Sequence, residues 1–173
     1  MPSKEVLEYY GLNSHFGKIL YFVKRFYRYI FEVFASICPF KSMKVRLYRA
    51  CGLNIGEDVY IGNNVLFDRA FPQMITIGNH VAIGDRTTIT AHAHIPTDTP
   101  LKKIYPRTIK PVTIEDGVWI MPNVTIINGV TIGKEAVIAT GAIVIKDVPP
   151  RTLVAGIPAK VVKDLNLLFD NLD

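Results

Sequence analysis

The sequence predicts a mainly β protein wound as a parallel β-helix. Three observations carry this: a hydrophobe returns every sixth residue, a small or β-branched residue stands four places after nearly every one, and glycine often follows it directly. The first series runs Ile55, Ile61 and Phe67, then after four extra residues Ile77, Ile83 and Ile89. After a longer break it continues through Ile114, Ile120, Ile126, Ile132, Ile138 and Val144. Eleven of these twelve are Ile or Val. Ile, Leu and Val make up 50 of 173 residues, so chance would place about three or four at twelve positions.

The second series is Val59, Val65, Phe71, Val81, Thr87, Ala93, Val118, Val124, Val130, Ala136, Ala142 and Val148, and glycine follows the anchor at Gly56, Gly62, Gly78, Gly84 and Gly133. Asn, Asp and Glu crowd the slots between, so each unit reads as a short strand followed by a turn. A unit this short cannot bury its own apolar side, and successive units must stack around a column of Ile and Val. The period alone leaves the hand of the coil open, because crossovers between parallel strands are nearly always right-handed. The predicted solenoid covers residues 51–163, with an excursion loop over 95–111.

Residues 1–50 form a separate helical, basic segment: nine Lys/Arg stand against three Glu, a balance of +6, whereas residues 51–173 balance to −1. From Lys18 to Phe34 the chain is largely aromatic and aliphatic, with Lys18, Tyr21, Arg25, Arg28 and Glu32 on one stripe at helical spacing. The charges Lys24, Arg25, Arg28 and Glu32 leave no apolar run of about eighteen residues, the length needed to span a bilayer. The expected role is packing, as a cap on the first coil or against another subunit. The alternative is peripheral association with a membrane surface. Residues 164–173 are predicted as a short C-terminal helix.

A chain of 173 residues suits a single catalytic domain. Cys38 and Cys51 stand in no metal or disulfide pattern. The body lacks the interleaved basic and aromatic stripe of a nucleic-acid binder. The start Met1-Pro2-Ser3-Lys4-Glu5 lacks the order of a secretory signal, so a cytoplasmic protein is expected, with the inner membrane face as its peripheral alternative.

The repeated Ile-Gly-x-x-Val-x units, the stretch Val112-Thr113-Ile114-Glu115-Asp116-Gly117-Val118-Trp119-Ile120 and the ending Val154-Ala155-Gly156-Ile157-Pro158-Ala159-Lys160-Val161-Val162-Lys163 resemble the hexapeptide-repeat acyltransferases, in particular the maltose and galactoside O-acetyltransferase group. The resemblance covers roughly residues 50–163. It implies a left-handed parallel β-helix, a homotrimer with active sites between subunits, acetyl-CoA as donor, a sugar or glycan acceptor and no metal.

The long break opens with Thr90-Ala91-His92-Ala93-His94-Ile95-Pro96-Thr97-Asp98 and contains Pro96, Pro100, Pro106 and Pro111, the composition of a restrained excursion with a task. Histidine suits proton abstraction from a hydroxyl near neutral pH. By position, the resemblance makes His94 the catalytic base and gives His92 a substrate-side or structural role. It places Trp119 near the thioester, Thr140 along the pantetheine groove, and Lys160 and Lys163 near the CoA phosphates. Asp68, in the irregularity after Phe67, matches an acceptor contact or caps a turn. Met121-Pro122 and Ile145 depart from the family pattern and predict a narrower groove with one polar contact fewer.

Two other readings are weighed. A γ-class carbonic anhydrase shares the coil and binds zinc through three histidines. Here His80 and His92 stand twelve residues apart, on different sides of a three-sided coil, and do not converge. A non-catalytic trimeric scaffold is the other. Covalent catalysis is disfavoured, since no Gly-x-Ser-x-Gly elbow occurs and both cysteines precede the loop or start the coil.

Overall fold

The hexad period becomes a three-sided coil with one parallel sheet on each side. The computed structural model describes residues 7, 9–11, 14–93 and 99–170, except for the side chains of residues 15 and 102. One sheet holds β1 (Asn54–Ile55), β4 (Ile75–Ile77), β7 (Val112–Ile114) and β10 (Thr131–Ile132). The second holds β2 (Tyr60–Ile61), β5 (Ala82–Ile83), β8 (Trp119–Ile120) and β11 (Val137–Ile138), then β13 (Thr152–Ala155) and β14 (Lys160–Asp164). The third holds β3 (Leu66–Phe67), β6 (Thr88–Ile89), β9 (Thr125–Ile126) and β12 (Ile143–Val144). Consecutive strands change side, so three hexads complete a coil. Ile83 pairs with Ile120, and Ile120 with Ile138.

The predicted column fills the inside. Ile83, Ile89, Ile114, Ile120, Ile126, Ile132 and Ile138 are wholly buried, and the second series is buried with them. Ala93 breaks the rule. It is half-exposed while Ala91 is buried, because the chain has left the coil by then.

Three residues after most anchors the backbone enters the left-handed region to turn the corner, at Asp58, Asn64, His80, Arg86, Asn123 and Glu135, and elsewhere at glycine. The glycines directly after the anchors answer a different need. A Cβ on Gly84 would sit 2.4 Å from the backbone nitrogen of Pro122 in the next coil, so close stacking demands glycine there. Pro122, a departure from the family pattern, thus packs on a glycine below it.

Helices α1 (His15–Ile37) and α2 (Lys41–Ala50) lead into the coil. The Ser14 side chain caps α1 by accepting from the Gly17 N–H at 3.0 Å. The first coil is covered by α2, a correction to the expectation that the run from Lys18 would cap it. Val45 and Tyr48 are buried, and the Tyr48 ring meets Phe67 edge-on at 5.0 Å. Buried Lys44 donates to the Gly62 carbonyl at 3.3 Å and to Asn63, while Arg49 donates to the carbonyls of Ile55 and Gly56. Part of the basic charge therefore serves carbonyls at the open end of the solenoid. Against α2, α1 turns in Tyr21 and Ala35. Among the described residues no helix is long and apolar enough to cross a membrane.

Lys160 and Lys163 lie on β14, which runs antiparallel to β13 as a hairpin. A short helix, α4 (Asn166–Phe169), follows inside the segment predicted as helical, after α3 (Leu101–Ile104) in the excursion.

Candidate active site

After β6 the chain leaves the third side and returns at β7. The departure is tied at a neck. The Ala93 N–H donates to the Thr108 carbonyl at 2.9 Å and the Lys110 N–H to the Ala91 carbonyl at 3.0 Å, with His92 opposite Ile109 in an antiparallel bridge. Asn128 on the next coil donates to the Thr108 hydroxyl at 2.9 Å and anchors the returning strand. Residues 108–110, within the predicted excursion, form one side of this neck.

The neck holds His92 against Asp68. Phe67 and Ile89 are neighbours on adjacent coils, so the residues after each come together. Asp68 has a fully covered side chain. One carboxylate oxygen accepts the N–H groups of Ala70 at 2.9 Å and Phe71 at 3.0 Å, which caps the turn. The other accepts the Ala91 N–H at 2.8 Å and lies 2.5 Å from His92 Nδ1. The Phe71 ring packs on the imidazole edge-on at 5.3 Å. An Nδ1–H given to this carboxylate fixes the orientation of the ring. Of the two expectations for Asp68, the structure shows the turn cap; its covered carboxylate is not open to a direct acceptor contact and pairs with His92 instead. The pairing of the two was missed, though the six-residue frame carried the signal, since Phe67 and Ile89 fall one coil apart in it.

His94 lies outside the described residues. Trp119 is half-exposed on β8, Thr140 is exposed in the turn after β11, and Lys160 and Lys163 are exposed on β14. Register sets Trp119, Val137, Leu153 and Lys163 in one row across the second sheet. Three strand steps separate its ends, about 14 Å. The β13–β14 hairpin, not a helix, brings Lys163 into line with Trp119. Ile145 is exposed beyond β12.

A cavity of about 570 Å³ opens between α1 and the first coil, lined by Arg25, Arg28 and Tyr29 on the helix and by Phe67, Asp68 and Arg69 on the coil. Glu32 takes Arg69 in a 2.7 Å ion pair, which raises the affinity of that guanidinium for its proton. Cys51 also borders the cavity. Burial, with Glu32 nearby, pushes its thiol up to about 11, so it is a poor nucleophile at neutral pH. Among the described residues no three His, Cys, Asp or Glu side chains gather as metal ligands.

Known proteins repeat this plan. Residues 111–146 match the family described as bacterial transferase hexapeptide (six repeats). A putative acetyltransferase of Bacillus subtilis (strain 168) is 35% identical over 155 residues, 88% of this chain and 86% of that one. The galactoside O-acetyltransferase of Escherichia coli (strain K12) is 34% identical over 78% of this chain, which spans 66% of that enzyme's length. Among solved structures, a hexapeptide-repeat containing acetyltransferase from Vibrio cholerae O1 biovar eltor, complexed with acetyl coenzyme A, superposes with a TM-score of 0.70 at 30% identity. The match covers 83% of this chain and 88% of that one. A galactoside acetyltransferase in complex with coenzyme A gives a TM-score of 0.63 at 25% identity over 85% and 83% of the two chains. The repeat, the three-sided coil and these relatives agree: the chain belongs to the hexapeptide-repeat acetyltransferases.

Proposed function

We propose that this enzyme moves an acetyl group from acetyl-CoA to a hydroxyl of a sugar or glycan precursor, as a homotrimer of left-handed β-helices in the cytoplasm. Acetyl-CoA would lie along the second sheet, its thioester near Trp119, its pantetheine arm passing Thr140 and its phosphates near Lys160 and Lys163. The acceptor would enter from the side of the cavity between α1 and the first coil, where Arg25 and Arg28 offer donors to oxygen-rich rings.

In this reading His94 is the base. Its imidazole takes the proton as the acceptor oxygen attacks the thioester carbonyl. The tetrahedral oxyanion collapses, the C–S bond breaks, and the CoA sulfur leaves with the proton returned by the imidazolium. The ester and free CoA are the products. The observation that carries the reading is the neck: it fixes the chain just ahead of residue 94 and buries a carboxylate against the adjacent imidazole.

That same observation supports a second assignment, with His92 as the base and Asp68 as the group that orients it. Incubation of the full chain with acetyl-CoA and a panel of sugars decides between them. The reading expects CoA release with a hydroxylamine-labile acetyl ester, lowered about 10²–10⁴-fold in kcat/KM by His94→Ala and less by His92→Ala. The reverse ranking moves the role to His92. No release with any sugar, or a hydroxylamine-stable amide, would overturn the O-acetyl reading.

A further inference from the structure

Helix α1 is turned inside out. Its inward side carries Tyr21, Arg28, Glu32 and Ala35, so polar and charged groups face the protein. The outward side is apolar: Phe16, Ile19, Val23, Phe34 and Ile37 are all at least half-exposed, Phe16 at 75% and Ile37 at 72%. At helical spacing these side chains lie within about 60° of one another, inside a wider arc with no Lys, Arg, Asp or Glu, along about 34 Å of helix. Such a patch on a folded chain marks a surface that something covers.

Charge selects what covers it. Lys18 and Lys24 flank the arc and are exposed, and α2 adds exposed Arg46. The only carboxylate between residues 14 and 50 is Glu32, which is turned to Arg69. Apolar rings bordered only by cations complement a bilayer surface bearing anionic headgroups. A second copy of the same face would set like charges against each other.

We propose that α1 lies in the plane of an anionic bilayer, its outward arc among the acyl chains and its flanking cations at the headgroups. The cavity beneath α1, and the Asp68 end of the coil with it, then sit at the membrane surface. This docking does not rest on the acetyl-transfer reading, because it is carried by the helix alone.

The full chain is tested by co-sedimentation with vesicles of phosphatidylcholine alone and of phosphatidylcholine with phosphatidylglycerol. Binding is expected to the mixed vesicles, and to weaken as salt rises. Each flanking cation is worth about fivefold in partitioning, so Lys18→Gln with Lys24→Gln lowers binding about 25-fold. Phe34→Trp adds an emission that shifts to the blue on binding and is quenched by brominated acyl chains. Phe34→Glu abolishes binding with the melting temperature unchanged. Should Phe34→Glu not fold, the lysine pair decides. No binding to the anionic vesicles at low salt overturns the proposal. So does a Phe34→Glu protein of smaller oligomeric size whose vesicle binding is intact, for the arc is then a subunit contact.

Discussion

The coil and helix α1 are both amphipathic, and they treat their apolar residues in opposite ways. In the coil every anchor from Ile77 to Ile138 is buried by the coil above and the coil below. On α1 large apolar side chains, Phe16 and Phe34 among them, point away from the body, while Arg28 and Glu32 point towards it. Hydrophobic periodicity reports that a face will be covered. It identifies the cover only when the same chain supplies it, as stacked repeats must.

The contrast is sharpest in core truncation. Ile120→Ala should cost about 2–5 kcal/mol in denaturant unfolding, since the site is wholly buried and a stacked coil collapses poorly around a void. Phe34→Ala should change stability by less than about 0.5 kcal/mol despite removing the larger side chain. Equal costs would break the comparison by placing Phe34 in a packed interface.

Gly84→Ala comes next, at about 1–3 kcal/mol, because its Cβ has backbone rather than a mobile side chain 2.4 Å away. Thermal melts of the two proteins measure this. Lys163→Gln, on the exposed row with Trp119, should leave the melt unchanged and raise KM for acetyl-CoA about three- to tenfold. A change in kcat alone would place that lysine elsewhere in the reaction.

The smallest effect belongs to Cys51. With its thiol at about 11, reaction with a disulfide reagent at pH 8 should be slow in the folded chain and fast in denaturant. The folded value is raised, so the contribution to stability is intact below about 9 and is lost as pH climbs towards about 11, where the unfolded chain releases its proton first.

The fold was legible because the coil is local. Each hexad repeats one instruction, an inward Ile followed by a corner, and register follows from counting sixes. Where the frame slips, counting gave position without contact: Asp68 and His92 were both singled out, yet their pairing depends on the four extra residues after Phe67 forming a capped turn. The hairpin at the end was not spelled out for a related reason: Lys160-Val161-Val162-Lys163 carries no hexad, and its strand form comes from pairing with the edge of β13. For α1 the two faces were legible and their direction was not, since Arg28 and Glu32 line a cavity that no spacing rule announces, with Glu32 paired to Arg69 there.

The central proposal is that the His94 imidazole takes the acceptor proton while acetyl leaves CoA. Its most direct test is the rate of acetyl-CoA turnover with a productive sugar, compared between the unaltered chain and His94→Ala at matched fold and oligomeric state. The account predicts a loss of about 10²–10⁴ in kcat with little change in KM for acetyl-CoA. A His94→Ala enzyme that turns over at the original rate, with the same pH profile, would contradict it.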